Sequence, residues 1–184
     1  MDRDLLVRAY DRTAGMYDEQ FRAQQREKYR AAARLLEADR LPPGPVLDAG
    51  GGTALFAEWL ADAGEPSPEV REQLRARRLV VLDASLGMLR RAAPRAPWRI
   101  AGDLEAPPFG PRFALVVAFT SLLGDTLAGV RALGEVLAPG GLLALTLLAR
   151  EALPAAHLSR AAGLRHVAGP ALAGRDRAFL FRSV

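Results

Sequence analysis

The chain has 184 residues, of which half are apolar and a quarter charged, with a net charge of +4. This length fits one well-buried domain, and no apolar run in the sequence is long enough to span a membrane. The lack of cysteine excludes disulfides, thiolate metal sites and cysteine nucleophiles. Because the first residues are charged and lack a signal-peptide core, we expect a cytoplasmic protein that forms one domain over residues 1–184.

The basic residues are almost all arginine, and Lys28 is the only lysine. They are scattered along the chain, often beside Asp or Glu, with no basic tail and no stripe of interleaved aromatic residues. Nucleic-acid binding usually needs such a clustered positive surface. The charge pattern therefore argues against a nucleic-acid partner.

Hydrophobic periodicity predicts a helical cap over residues 1–40, with helices at 2–10 and 18–37, before a core over residues 41–184. The predicted strands of that core are 46–49, 79–82, 98–101, 113–119, 142–148, 164–168 and 178–181, and its predicted helices are 53–63, 68–77, 85–93, 126–137 and 154–162. Strands that alternate with helices indicate a parallel sheet. The last two strands, joined by a turn that contains Gly and Pro, are too close in sequence for a helical crossover. The predicted fold class is α/β: a Rossmann-like, seven-stranded, mostly parallel sheet with helices on both faces and an antiparallel C-terminal hairpin.

A glycine loop follows the first predicted strand, where Asp48 and Ala49 lead into Gly50, Gly51 and Gly52. Glycine lets the backbone turn sharply and approach a ligand without a Cβ between them. A helix begins directly after the loop, and its free amides favour a negative or polar group. The carboxyl end of this strand is therefore a candidate ligand site.

Two further polar positions follow the next predicted strands. The second strand ends in Asp83, whose carboxylate can accept hydrogen bonds from both hydroxyls of a ribose, and Asp103 comes directly after the third. The carboxyl ends of parallel strands meet at one edge of a sheet, so these loops together predict a site of nucleoside size.

The order of these motifs resembles that of the class I S-adenosylmethionine-dependent methyltransferases, and within them the small-molecule branch that includes quinone-biosynthesis enzymes. The stretches that carry the resemblance are residues 10–18, 46–54, 81–89, 102–109, 113–117 and 135–141. The chain departs from the family pattern in four places. Ala54 replaces the last glycine of the loop, Ala114 stands where the family prefers Asp, residues 65–78 form an insertion, and no histidine follows the fourth strand near Gly124.

The resemblance implies S-adenosylmethionine as cofactor and a small-molecule methyl acceptor, and it implies no metal. The cofactor-binding residues that it implies are Tyr17, Asp48, Gly50, Gly51, Gly52, Asp83, Ala84, Met88, Asp103, Leu104, Phe119 and Thr120. Among these, Asp83 would bind the ribose, Asp103 the adenine amino group, and Tyr17 would close over the cofactor. Phe119, Thr120 and the neighbouring Ser121 would lie beside the sulfonium.

The resemblance assigns no catalytic residue. Methyl transfer is an in-line displacement that depends on alignment and a dry pocket, and it needs a base only if the acceptor must lose a proton. Candidate bases are Asp125, Glu151 and His157, which follow the fourth or fifth strand.

Other functions remain open at this stage. A protein that binds S-adenosylmethionine or a nucleotide without catalysis would have the same motifs, because fold does not imply function. A nicotinamide-dependent oxidoreductase would need Gly-x-Gly-x-x-Gly, which Leu55 breaks. A nucleic-acid methyltransferase would need a motif of the Asn-Pro-Pro-Tyr type, whereas Phe119-Thr120-Ser121-Leu122 stands at that place.

Overall fold

The computed structural model describes residues 3–150 and 153–184, which alternate between strands and helices as predicted. The strands are β1 (Val46–Ala49), β2 (Leu79–Asp83), β3 (Trp98–Ala101), β4 (Phe113–Phe119), β5 (Leu137–Leu148), β6 (Leu164–Ala173) and β7 (Asp176–Ser183). The helices are α1 (Arg3–Thr13), α2 (Tyr17–Leu36), α3 (Leu55–Ala61), α4 (Pro68–Arg75), α5 (Leu86–Ala92), α6 (Thr126–Glu135) and α7 (Ala155–Ala162). None of these helices combines the length and hydropathy that a membrane span requires.

The strands form one seven-stranded sheet in the order β3-β2-β1-β4-β5-β7-β6. Neighbours from β3 to β5 run parallel, and β7 is antiparallel to both β5 and β6. This arrangement confirms the predicted fold class. The strand order reverses direction between β1 and β4, and ligands in open α/β sheets bind beside such a point, at the carboxyl ends of the strands.

The two faces of the sheet are covered by different helices. On one face, β4 residues such as Leu115 pack in a cluster with Tyr29 of α2 and Trp59 of α3. On the other face, the next residue of the strand, Val116, packs with Leu133 of α6. Every residue of β4 is buried, as expected for a central strand between two helical layers.

The insertion at residues 65–78 lies on the α2 and α3 side of the sheet and contains α4. Its apolar residues Val70 and Leu74 are buried in the core of that side. The Arg71 guanidinium donates hydrogen bonds to carbonyl oxygens in the connection that precedes α4, including that of Ala63 at 2.8 Å. The insertion is thus an added helix anchored on the core.

The C-terminal hairpin has longer strands and a shorter turn than predicted. Gly169 and Pro170, at the start of the predicted turn over residues 169–177, lie within β6, and the hairpin turns at Gly174, inside that predicted turn, with a φ of +63°. The pairing of β6 with β7 shifts register between His166 and Ala171, and Gly169 lies at this irregularity with a φ of +98°. The physical reason for the error is that glycine and proline also occur at β-bulges, which bend a strand without ending it.

The fifth strand also begins earlier than predicted. Pro139, Gly140 and Gly141 were expected to separate a helix from a strand at 142–148, but β5 runs from Leu137 through all three. The pairing with β4 is irregular next to Phe113, and a Cβ on Gly141 would lie 2.7 Å from the Phe113 carbonyl oxygen. The glycines therefore allow a bulge where two backbones approach closely.

Candidate functional site

A cavity of about 330 Å³ opens at the carboxyl ends of the parallel strands, under α1 and the start of α2. The residues that line it are Leu6, Val7, Tyr10, Tyr17, Gly50, Gly52, Asp83, Ala84, Ser85, Met88, Asp103, Leu104, Glu105, Phe119, Thr120, Ser121, Leu122, Leu123 and Gly124. The cavity brings together ten of the twelve positions that the family resemblance implies. The other two, Asp48 and Gly51, do not line it.

The glycine loop forms one wall of the cavity. Gly50 and Gly52 have φ angles of +73° and +54°, a region that residues with a Cβ seldom occupy. A Cβ on Gly50 would overlap the side chain of Ser121, so glycine is needed there to bring the end of β1 against the end of β4. A Cβ on Gly52 would have Met88 Sδ at 3.9 Å and Asp83 Oδ2 at 4.0 Å as nearest neighbours, which leaves room for a ligand close to this backbone.

The departure at Ala54 keeps the backbone shape of a glycine. Ala54 precedes α3 with a φ of +62° and is fully buried. The left-handed conformation costs alanine more than glycine, but its methyl group packs with Val81 and Leu89. The loop thus has a left-handed residue at this position although alanine replaces its last glycine.

The Asp83 carboxylate is fixed in position by the backbone around it. Its Oδ1 accepts a hydrogen bond from Ser85 N at 2.8 Å, and its Oδ2 accepts one from Gly52 N at 2.9 Å. Burial raises its pKa above the ordinary value, while these amides act in the opposite direction. Because a carboxylate oxygen can accept more than one hydrogen bond, Asp83 can still bind two hydroxyl groups of a ligand.

A short loop after β3 forms the opposite wall. Asp103 Oδ1 accepts a hydrogen bond from Glu105 N at 2.8 Å, which sets the direction of the carboxylate. The Glu105 side chain in turn accepts from Asp125 N at 3.3 Å and lies against Gly124. The exposed Glu105 adds a second acidic group, which the motifs did not indicate.

Helix α1 covers the cavity with Leu6, Val7 and Tyr10. It is held down by Asp11, whose Oδ1 accepts from Ser85 Oγ at 2.6 Å and from Gly87 N at 2.8 Å. These hydrogen bonds, that from Ser85 first, lower the pKa of Asp11. A helical cap was predicted over residues 1–40, but Leu6, Val7 and Tyr10 were not predicted to line the cavity, although the spacing of Leu6 and Tyr10 places them on one face of a helix.

Tyr17 begins α2 and extends the cover. Its hydroxyl accepts a hydrogen bond from Gln25 Nε2 at 3.0 Å, and its ring lies 4.9 Å from the ring of Phe21. Burial, followed by the nearby Tyr10, raises the pKa of Tyr17 to about 12. Tyr17 is therefore a neutral phenol at physiological pH, suited to packing and hydrogen bonding.

Asp48 lies beneath the glycine loop, with its carboxylate against Gly51. Asp48 is buried, and its Oδ2 has no hydrogen-bond partner among the described residues. Burial, followed by the charge of Asp83, raises the pKa of Asp48 to about 8. Asp48 therefore supports the loop from below as a neutral acid at physiological pH.

Thr120 follows β4 with a φ of +54° and connects the cavity with a buried polar cluster. Its hydroxyl accepts a hydrogen bond from Lys28 Nζ at 2.8 Å, donates to Asp176 Oδ2 and lies 3.0 Å from Thr146 Oγ1. Thr120 was predicted as a site residue but its partners were not, because no local motif joins residues so far apart along the chain.

Two of the candidate bases, Asp125 and His157, do not line the cavity. Asp125 caps α6, where its Oδ1 accepts from the amides of Leu127 and Ala128 at 3.0 Å each. His157 is exposed on α7, and Glu151 falls outside the described residues. Within the described ranges, no group of three or more His, Asp or Glu side chains is placed to hold a metal ion.

Comparison with known proteins gives one curated relative. Malonyl-[acyl-carrier protein] O-methyltransferase of Pseudescherichia vulneris is 32% identical over 165 residues, which are 85% of this chain. The chain spans 59% of that relative's length. No protein-family model matches the chain.

Solved structures share the fold at low sequence identity. A possible histamine N-methyltransferase of Thermotoga maritima has a TM-score of 0.67 at 15% identity, over 95% of this chain and 98% of that one. An N-methyltransferase of Bradyrhizobium japonicum, in complex with S-adenosyl-L-homocysteine, has a TM-score of 0.62 at 20% identity, over 87% of each chain. Magnesium protoporphyrin IX methyltransferase of Synechocystis, with bound S-adenosylmethionine, has a TM-score of 0.62 at 17% identity, over 91% of this chain and 82% of that one.

The sheet order, the succession of motifs around the cavity and the curated relative agree with one another. The chain has the Rossmann-like fold of the class I S-adenosylmethionine-dependent methyltransferases, and over 85% of its length its sequence is similar to that of one such enzyme.

Proposed function

We propose that this chain binds S-adenosylmethionine in the cavity and transfers its methyl group to a small-molecule acceptor. The observation that carries the proposal is the junction of three strand ends in one cavity: the open backbone at Gly52, the Asp83 carboxylate 2.9 Å from it, and Asp103 on the opposite wall. The relatives' activities support methyl transfer as the reaction class.

The residues of the cavity fit the proposed cofactor. Asp83 has acceptor capacity left for a ribose diol, and Asp103 can accept from an adenine amino group. Gly52 leaves the space that the methionine part would occupy beside the backbone. When bound, the cofactor supplies an electrophilic methyl group on a sulfonium cation.

The protein's contribution is alignment and exclusion of water. Leu6, Val7 and Tyr10 of α1 cover the cavity, and this cover keeps the bound molecules dry. Phe119 and Thr120 form the floor at the end where the acceptor must approach. The neutral rings of Tyr10 and Tyr17 can also stabilise a nearby cation through their π-faces.

The lining of the cavity indicates the type of acceptor. Leu122 and Leu123 contribute apolar groups to it, and Glu105 adds an exposed carboxylate close to Gly124. A negative group near this carboxylate would be repelled, whereas a neutral or cationic group would not. We therefore propose a neutral or cationic acceptor with an apolar portion. A malonyl thioester, which the curated relative's name suggests, is the natural comparison in an acceptor screen.

The finer expectations belong to the same proposal. A cytoplasmic location and the lack of a nucleic-acid partner rest on composition and charge pattern. Assignment to the quinone-biosynthesis branch rests on motifs alone and stays a prediction.

Isothermal calorimetry with S-adenosylmethionine, S-adenosylhomocysteine, NAD and NADP tests the cofactor. We expect binding of the first two alone. Turnover of labelled methyl groups in an acceptor screen then separates an enzyme from a protein that only binds the cofactor. A preference for NAD, or no binding of any of the four, would overturn the proposal.

The Asp83→Ala variant tests the ribose site. Each hydrogen bond to a charged group contributes about 1.5–3 kcal/mol, so loss of two should weaken S-adenosylhomocysteine binding by at least about 100-fold. Asp39→Ala is the matched control, because it removes a carboxylate that pairs with Arg182 outside the cavity. Near-native affinity of the Asp83 variant would refute the assignment.

A further inference from the structure

A polar cluster is buried behind the floor of the cavity, where α2, β4, β5 and β7 meet. It consists of Lys28, Thr120, Thr146 and Asp176, and we call it the Lys28 cluster. Lys28 Nζ lies 3.0 Å from Asp176 Oδ2 and 2.8 Å from Thr120 Oγ1. The Lys28 and Asp176 side chains are only 4% and 0% exposed. An ion pair is thus placed where solvation is lost and must be replaced by protein contacts.

The choice of lysine at this position is informative. Lys28 is the only lysine in a chain whose other basic residues are all arginine. An ammonium is a compact charge with three donors, whereas a guanidinium is a wide planar fork that suits two-point contacts. The narrow space between the Thr120 hydroxyl and the Asp176 carboxylate fits the ammonium. The chemistry of the site, rather than composition, accounts for this exception.

Thr120 is the member of the cluster that faces the cofactor cavity. A β-branched residue with a φ of +54° is a conformational outlier that persists only when its surroundings hold it. Its hydroxyl is held by Lys28 and Asp176, and its amide donates to Thr146 O at 3.1 Å. The next residue, Ser121, donates to Ala49 O at 2.8 Å. The corner formed by residues 119–121 is therefore fixed from both sides.

We propose that the Lys28–Asp176 ion pair is a positioning device, which holds the 119–121 corner in its left-handed turn against the reacting end of the cofactor. It also joins this corner to α2, the helix that begins with Tyr17 of the cavity cover. Two walls of the cavity thus share one buried support. The inference rests on the proposal that the cavity binds S-adenosylmethionine.

The test removes both charges, so that no unpaired charge stays buried. Lys28→Met combined with Asp176→Leu keeps the approximate volume of the pair, and such replacements often preserve stability. The matched control is Arg182→Met with Asp39→Leu, which removes a partly buried ion pair that does not touch the cavity. Calorimetry with S-adenosylhomocysteine, well below the unfolding temperature of each variant, gives the affinity of the folded protein.

We expect the Lys28–Asp176 double variant to bind at least about tenfold more weakly than the wild type, because a small displacement of a positioning group has large effects. The control should bind within a factor of about two of wild type, since its pair lies outside the cavity. Equal affinity of the double variant and wild type would overturn the positioning role, and any loss of thermal stability would then be its sole effect. Failure of the wild type to bind would instead refute the proposed function.

A second measurement needs no variant. Because Lys28 is the only lysine, protein grown with ¹³C-labelled lysine gives one lysine side-chain signal set by NMR. We expect this signal to shift when S-adenosylhomocysteine binds, since Thr120 links the ammonium to the cavity. A signal unchanged at saturating ligand would contradict the coupling, even if the double variant did not fold.

Discussion

Two buried aspartates support the cavity from below, and they do so in different chemical forms. Asp48 lies under the glycine loop and Asp176 lies behind Thr120, with side chains that are almost fully buried in both cases. Asp176 has the Lys28 ammonium at 3.0 Å. Each aspartate has one oxygen without a hydrogen-bond partner among the described residues, and the pKa of Asp48, which has no such cation beside it, is raised to about 8.

The difference shows two solutions to one problem. A carboxylate taken out of water must either become neutral or find a cation. Under the glycine loop a Cβ on Gly51 would lie only 2.5 Å from Asp48 Oδ2, and we infer that the neutral acid is favoured because space there is limited. Behind Thr120 a side chain from α2 can reach in, and the ion pair holds a strained corner. Variants that change one form but not the other test this comparison.

The largest expected effect is a change in the free energy of unfolding with pH, caused by the protonation of Asp48. Its folded pKa of about 8 exceeds the ordinary value of 3.8, so the folded state holds a proton that the unfolded state releases above about pH 4. The stability from this group is therefore fully present below about pH 4 and is lost as pH rises to about 8, by up to about 6 kcal/mol. Asp48→Asn, which stays neutral, should lack this loss.

Urea unfolding of wild type and Asp48→Asn at a series of pH values measures the difference. The free energies of unfolding should diverge in favour of the variant as pH rises, and should run parallel above about pH 8. Parallel curves over the whole range would mean that Asp48 is ionised in the folded protein. The comparison of a neutral and a paired carboxylate would then be wrong.

Lys28→Met alone leaves Asp176 without its cation, as Asp48 is in the wild type. Removing one partner of a buried ion pair costs about 3–5 kcal/mol, because the other charge is left without compensation. Adding Asp176→Leu should recover most of that loss. Equilibrium urea unfolding of the single and double variants checks this order, and equal stability of the two would show that Asp176 does not need its cation.

The sequence could predict the support under the glycine loop better than the support behind Thr120, for a physical reason. Asp48, Gly50 and Gly52 are neighbours in the chain, so their joint geometry leaves a local motif. Lys28 and Thr120 are 92 residues apart, and Asp176 is farther still. Such side-chain contacts follow from the packing of α2 on the sheet, which periodicity alone does not specify.

The candidate bases were predicted from their order along the chain, although the role of a side chain depends on its position in space. Asp125 follows the fourth strand, as a base should, but it is close to its own helix start and serves as a cap. Strand alternation predicted the sheet, because buried parallel strands have a distinctive pattern. The Gly169-Pro170 pair could not be assigned correctly, since turns and bulges use the same residues.

Gly51→Ala tests how little space there is beside Asp48, and its expected effect on stability is the smallest. Gly51 does not need a left-handed φ, but a Cβ there would lie 2.5 Å from Asp48 Oδ2 and 2.9 Å from Val81 Cγ1. Overpacking of this kind costs about 1–3 kcal/mol. Gly110→Ala is the control, because nothing lies within 4 Å of its added Cβ, and it should stay within about 0.5 kcal/mol of wild type.

A double-mutant cycle assigns that cost to the carboxylate. In an Asp48→Ala background the obstructing oxygen is gone, so Gly51→Ala should cost at least about 0.5 kcal/mol less than in wild type. Urea unfolding of the four proteins at one pH gives the coupling energy. If the cost is the same in both backgrounds, Val81 rather than Asp48 excludes a side chain at Gly51. Asp48 would then have room for a partner. Lack of space could not explain why the carboxyl group under the glycine loop is neutral.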